Sequence, residues 1–143
     1  MLRSLLSMVL FVGVATATDP KPASLPTPAE RKVSFDADVK PILTAHCFPC
    51  HGGAKEKGGL KLDNLKAALA GGNGGAVIVT GKSADSRLIH AVVGREPEAP
   101  MPPGDAKKLT AEQVGVLRAW IDQGAKWGTA TSASMEAAKP THW

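Results

Sequence analysis

Residues 45–53 read AHCFPCHGG and contain both cysteines of the chain, Cys47 and Cys50, followed directly by His51. Two thiols separated by two residues can form a redox dithiol, a short disulfide or half of a zinc site. With an imidazole directly after the second thiol, the pattern is also typical of covalent haem attachment: both thiols bond the porphyrin and the histidine binds its iron.

The surrounding sequence favours haem attachment over the other three interpretations. A redox dithiol of the thioredoxin type expects a βαβ unit, whereas helices and glycine-rich loops are predicted here. Structural zinc needs four ligands, and no other histidines are paired at ligand spacing. A disulfide between Cys47 and Cys50 would close a very short loop, stabilise little and leave His51 unexplained. We therefore predict one covalent haem c, with its iron on His51.

Met101 is the predicted second axial ligand of that iron. It stands between prolines in the segment REPEAPMPPGD, which would present its thioether from a stiff loop. A methionine that fills a gap in the core is the alternative. His90 is a rival ligand, but it belongs to a predicted helix whose apolar stripe is already defined. His46 precedes Cys47 too closely to reach the opposite face of a haem.

Ligation by His51 and Met101 would leave the iron no open site and favour its ferrous state. The expected function is outer-sphere electron transfer, not enzyme catalysis. The alternative is a ligand-binding haem sensor or a peroxidase-like domain, with an open or displaceable distal site. In a second alternative the haem mainly fills the core of a structural domain.

The elements that must position these residues are predicted to be helices, so the fold class is all-α. Apolar residues at helical spacing, capping residues and glycine stops predict helices that begin near Ser34, Asn64, Ser83 and Thr110. The first of them leads into Cys47. Residues 76–80 are expected to be an extended connector, and residues 95–105 a stiff loop.

The ends of the chain differ in composition from its middle. Arg3, an apolar run from Leu5 to Val14 and a small-residue cleavage site predict a secretory signal, so the protein is expected to be exported to the periplasm or cell envelope. That run is short for a membrane span, although an uncleaved N-terminal anchor is the alternative. The predicted divisions are a signal peptide (1–17), a solvated proline-rich linker (18–32), a folded domain (33–128) and a flexible tail (129–143).

The charge pattern bears on partners. A formal net charge of +4, with no basic run interleaved with aromatics, argues against nucleic acid as a partner. No membrane contact is expected beyond the possible anchor. Lys55, Lys57 and Lys61 could form a docking surface for an acidic redox protein, and a solvated loop face is the simpler interpretation.

Residues 33–128 resemble the monohaem cytochrome c superfamily, and most of all the planctomycete-type cytochrome c domain. The resemblance is carried, in order, by FDADVKPILTAHCFPCHG, KGGLKLD, SADSRLIHAVVG, MPP and KLTAEQVGVLRAWIDQGAKW. It implies a class I cytochrome c fold, a small helical domain wrapped around one haem c, with the Phe35 helix crossing the Trp120 helix beside the haem.

The same resemblance implies roles for single residues. Cys47 and Cys50 would be the thioether attachments, His51 the proximal ligand and Met101 the distal ligand. In that family the haem domain is usually joined to much longer domains.

Overall fold

The structure is a computed structural model that describes residues 24–128. The predicted signal peptide, the first part of the predicted linker and the predicted tail lie outside these residues. Within 24–128 the chain forms helices and no strand, apart from an isolated bridge between Gly72 and Gly75, which confirms the all-α class. The α-helices of this part are α1 (Lys40–His46), α2 (Phe48–His51), α3 (Leu65–Ala70), α4 (Arg87–Val93) and α5 (Ala111–Asp122).

The first helical segment begins where the sequence predicts, but with a wider turn. The Ser34 hydroxyl accepts a hydrogen bond from the Ala37 N–H, and residues Phe35–Val39 form a π-helical turn before α1. Pro41 has no N–H, so it cannot donate to the Ala37 carbonyl four residues back. The Lys40 N–H bonds to the Phe35 carbonyl, five residues back, which is the spacing of a π-helix. A regular α-helix follows and delivers the chain to Cys47.

The helix predicted from Ser83 is divided in the structure. Residues Ser83–Asp85 form a 3-10 turn, and α4 begins only at Arg87. The fully buried Ser86 causes the break, because its hydroxyl donates to the Lys82 carbonyl at 3.0 Å and accepts from the Val79 N–H at 2.9 Å. A hydroxyl used in this way favours a turn over a continuous helix.

The last helix follows its prediction closely. The Thr110 hydroxyl accepts from the Gln113 N–H, and the Gln113 side chain accepts from the Thr110 N–H, which completes the capping box. The residues of α5 from Val114 to Ile121 are buried, except for the half-buried Arg118. Phe35 stacks on Trp127 with ring centroids 4.1 Å apart and lies 5.9 Å from Trp120, so the first helical segment packs on α5.

Residues 24–33, which we call the N-terminal strap, lie along α5. Leu25 and Ala29 pack against the core, and the Ala29 N–H donates to the Gly115 carbonyl at 3.0 Å. Arg118 donates to the Pro26 carbonyl at 2.5 Å. The part of the predicted linker that the structure describes is therefore docked and not free in solvent.

The strap can lie this close to α5 because residue 115 has no side chain. A Cβ at Gly115 would stand 2.6 Å from the Thr27 carbonyl oxygen, which is too short for any contact. At the other end of the strap, Gln123 accepts from the Val33 N–H at 2.9 Å and donates to the Arg31 carbonyl at 2.8 Å. In residues 24–128, no helix combines the length and the apolar character needed to cross a membrane.

Candidate functional site

Cys47, Cys50 and His51 occupy a single helical turn. Cys47 is the residue at which α1 ends and α2 starts, and its carbonyl accepts the N–H groups of Cys50 at 3.1 Å and of His51 at 2.8 Å. Cys47 is buried, whereas Cys50 and His51 are half-buried. Both thiols are free. The two sulfurs and the imidazole are therefore presented by one short piece of backbone.

The following loop fixes the orientation of the His51 imidazole. Its Nδ1–H donates to the Leu60 carbonyl at 3.2 Å, and the Leu62 N–H donates to the His51 carbonyl at 2.7 Å. The other ring nitrogen, Nε2, makes no hydrogen bond to residues 24–128. Histidines that bind a metal commonly have this arrangement, with one ring nitrogen held by a backbone carbonyl and the other at the metal.

The donor set of this turn fits a haem better than the other predicted chemistries. Within residues 24–128, no three His, Cys, Asp or Glu side chains converge as a metal cluster, so His51 and the two thiols do not form a zinc site by themselves. The thiols are also not joined as a disulfide. Burial raises the pKa of Cys47 to about 11, because a thiolate there would lose its hydration.

Met101 is held beside α4. Its N–H donates to the Ala91 carbonyl of α4 at 2.9 Å, and the residue is half-buried. It borders a cavity of about 340 Å³ whose other walls include Val92, Leu109 and Val114. None of Cys47, Cys50 and His51 borders this cavity. The structure thus brings Cys47, Cys50 and His51 together on one turn, and Met101 borders a cavity that none of the three lines.

The two other histidines of the described residues are engaged by backbone carbonyls. His90 Nε2 lies 2.7 Å from the Ala84 carbonyl oxygen, so this imidazole already has a partner beside α4. His46 Nδ1 lies 3.1 Å from the Lys107 carbonyl oxygen. His46 therefore connects the start of the Cys47 turn to the loop that follows Met101.

Several residues around the site have roles that the sequence did not indicate. Leu60 supplies the carbonyl that holds the His51 ring. Arg87 and Glu98 form an ion pair at 2.6 Å beside the Met101 loop. Arg87 begins α4 and Glu98 lies in the proline-rich loop after that helix, so the pair gives no periodic signal in the sequence. Of the three lysines considered for docking, Lys55 and Lys57 are exposed and Lys61 is half-buried.

Comparison with known proteins finds a similarity for part of this chain. The family model for planctomycete cytochrome C matches residues 47–105, which include Cys47, Cys50, His51 and Met101. These residues are thus similar to a cytochrome c domain, a class that carries covalent haem c with its iron, and the resemblance to the planctomycete type is confirmed over them. No curated protein and no solved structure matches the chain. The strap and α5 lie outside the matched segment.

Proposed function

We propose that this protein is an exported electron-transfer protein, or the electron-transfer module of a larger one, with one covalent haem c. Cys47 and Cys50 would hold the haem, and His51 and Met101 would bind its iron. The observation that carries the proposal is the His51 ring, whose Nδ1 is held by the Leu60 carbonyl directly beside two free thiols.

The α2 turn would supply attachment and orientation. Each thiol can add its S–H across a vinyl group of the porphyrin, so that both sulfurs end as thioethers. The Leu60 carbonyl fixes the His51 tautomer with its proton on Nδ1, which keeps Nε2 available as the iron ligand. Leu62, buried to 2 % exposure, supports this segment from the core.

Met101 would supply the second axial ligand. When bound, the haem contributes a one-electron iron couple, and a thioether ligand raises its potential by favouring the ferrous state. The walls of the cavity beside Met101 include the apolar residues Val92, Leu109 and Val114, and an apolar surround would also favour the less charged reduced form. Ligation on both faces leaves no position for substrate, and this supports electron transfer over catalysis.

The proposed partners are redox proteins with an acidic docking face. Lys57 opens the 3-10 turn Lys57–Gly59 after α2, and Lys55 is exposed beside it. Lysines near the attachment turn would steer an acidic partner towards it, and such steering weakens as ionic strength rises. The proposed location is the periplasm or the cell envelope.

The test is an absorption spectrum of the full chain, produced with haem-attachment machinery and recorded oxidised and reduced. We expect low-spin haem with the weak far-red ferric band of sulfur ligation. Met101→Ala should remove that band and lower the midpoint potential by at least about 0.1 V, a modest part of the roughly 0.8 V that axial ligands span. Met135→Ala is the matched control and should keep both properties.

The alternative is a sensor or peroxidase-like domain with an open or displaceable distal site. It draws support from the cavity beside Met101, which none of Cys47, Cys50 and His51 borders. Carbon monoxide distinguishes the two functions, because a ligated ferrous iron resists it and an open one binds it readily. High-spin haem with rapid carbon monoxide binding would overturn the electron-transfer proposal.

A further inference from the structure

The loop that carries Met101 is fastened to α4 at both of its ends. Gly94 ends α4 in the left-handed conformation, with φ of 68°, and the next N–H, from Arg95, donates to the His90 carbonyl at 2.8 Å. The chain then leaves the helix and returns where the Met101 N–H donates to the Ala91 carbonyl at 2.9 Å. The excursion therefore starts and finishes on the last turn of one helix.

A third attachment holds the middle of this excursion. Arg87, the first residue of α4, donates from Nε to Glu98 Oε1 at 2.6 Å and from Nη2 to Glu98 Oε2 at 3.1 Å. The Glu98 side chain is only 18 % exposed. Exposed ion pairs usually stabilise little, but a bidentate arginine–carboxylate pair is the geometry in which they do contribute.

The same guanidinium reaches a second loop. Arg87 Nη1 donates to the Gly74 carbonyl at 2.7 Å, in the glycine-rich turn before α4. In that turn the Asn73 N–H donates to the Gly58 carbonyl at 2.8 Å. Residue 58 belongs to the segment whose Leu60 carbonyl orients the His51 ring. Arg87 is therefore connected, through backbone hydrogen bonds, to the segments that present both proposed iron ligands.

We propose that Arg87 and Glu98 are positioning residues for Met101, holding its loop against α4 so that the thioether remains at the iron. This inference rests on the proposed function and adds two residues that would contact neither iron nor porphyrin. The pair lies outside the α2 turn, so its loss should loosen Met101 and leave the haem attached. Added imidazole would then displace Met101 more easily, because the thioether is held less firmly. In this exchange one iron–sulfur bond breaks and one iron–nitrogen bond forms, and the oxidation state of the iron does not change.

The first test is Glu98→Gln in the full haem-loaded chain. We expect the Met101 amide to exchange its hydrogen roughly two- to fivefold faster and imidazole to bind more tightly by a similar factor. The far-red ferric band should weaken in parallel. Glu96→Gln is the matched control, since Glu96 is exposed on the same loop and takes part in no ion pair among residues 24–128. It should leave all three measurements at their wild-type values.

The second test compares Arg87→Lys with Arg87→Gln. A lysine keeps the charge but cannot hold both carboxylate oxygens and the Gly74 carbonyl, so it should restore part of the loss that glutamine causes. These two variants also serve if Glu98→Gln does not fold. Equal results for Lys, Gln and wild type would overturn the positioning role.

The results also separate this inference from the function on which it rests. A wild-type protein without the sulfur-ligation band overturns the His51 and Met101 assignment, and the positioning role with it. A wild-type protein with the band, whose Glu98→Gln variant behaves like Glu96→Gln, overturns the positioning role alone. A fall in thermal stability with unchanged amide exchange and imidazole affinity would likewise assign the pair a purely structural role.

Discussion

The two sides of the proposed haem site are constructed differently. On the His51 side, both thiols and the imidazole belong to one turn of backbone, and a single carbonyl from the next loop orients the ring. On the Met101 side, the ligand stands on a long loop held by an ion pair and by bonds to α4. On the His51 side, the proposed attachment would depend on covalent bonds from neighbouring residues, whereas the Met101 side depends on contacts between residues distant in the sequence. The proposed attachment residues can therefore be recognised from a short stretch of sequence, but the contacts that hold Met101 in place depend on the fold.

The largest effect is expected when the two cysteines on the His51 side are replaced. Replacing both cysteines, Cys47→Ala with Cys50→Ala, removes both sulfurs that can form thioethers, so we expect complete loss of covalent haem. Haem staining of a denaturing gel and the intact mass measure it. Met101→Ala is the control from the other side and should keep its covalent haem. Haem that stays attached to the double variant through denaturation would refute the proposed attachment.

The next effect concerns α5, which packs against both the first helical segment and α4. Trp120 is 2 % exposed, lies against Phe35 and Trp127, and donates its indole N–H to the Lys126 carbonyl. Trp120→Ala is expected to lower the free energy of unfolding by about 3–5 kcal/mol, through lost burial and a residual cavity. Urea unfolding measures this change. Val79→Ala, at an exposed position, should have little effect, and similar losses for both variants would contradict the packing described.

A smaller effect is expected at the wall beside Met101. A Cβ at Gly115 would push the strap at Thr27 away from α5, and the neighbouring Pro26 borders the Met101 cavity. Gly115→Ala should therefore cost about 1–3 kcal/mol in unfolding free energy, a typical cost of overpacking. Amide exchange of Ala29, whose N–H donates to the Gly115 carbonyl, should rise with it. Glu112→Ala, exposed on the same helix, is the control, and an undisturbed Ala29 amide in Gly115→Ala would show that the strap is not held there.

The smallest effects compare one ion pair from each end of the domain. Arg31 holds the pKa of Asp38 below its ordinary 3.8, helped by the Ser34 N–H, and Arg87, with His90 nearby, holds that of Glu98 below 4.5. A carboxyl with a lowered folded pKa stabilises the fold above its unfolded pKa and loses that contribution as pH falls through the folded value.

Acid unfolding should therefore begin at slightly higher pH in Asp38→Asn and in Glu98→Gln than in wild type. Only Glu98→Gln should also have a weaker far-red band, and it should have it already at neutral pH, because a glutamine cannot form the ion pair with Arg87 at any pH. Circular dichroism and absorbance followed together separate the two responses. A weakened band in Asp38→Asn at a pH where the fold is intact would show that the two pairs do not act on separate sides.

Features that depend only on residues close together in the sequence could be predicted from it. The capping box of α5 is complete within four residues, and CFPCH places its own donors, so both could be recognised without a fold. The sequence does not predict the break at Ser86 in the helix expected from Ser83, because a serine near the start of a helix is ordinarily a cap. Its buried hydroxyl acts on Val79 and Lys82, which become relevant only after the preceding loop has folded back.

Contacts made by backbone atoms could not be predicted, because they leave no pattern in the side-chain sequence. The strap was predicted to be solvated from its prolines, yet the Pro26 carbonyl and the Ala29 N–H bind α5 and need no apolar side chain to do so. The glycine-rich loops likewise give no sequence pattern that predicts their contacts. In the structure, a Cβ at Gly72 would lie 2.5 Å from the Gly58 carbonyl oxygen, so the missing side chain permits close packing of two loops.

The hydrogen bonds of Gln123 have a consequence for how this domain can be built into other polypeptides. That side chain joins Arg31 and Val33, at the end of the strap, to the end of α5, while Phe35 stacks on Trp127. The chain therefore enters its first helical segment and leaves α5 at one place on the surface, and the strap before that entry runs along α5 outside the core. Domains with adjacent entry and exit points are readily inserted into a host or joined in series, because neither connection has to cross the core. Evolution could thus exchange the neighbours of this unit without altering either proposed iron ligand.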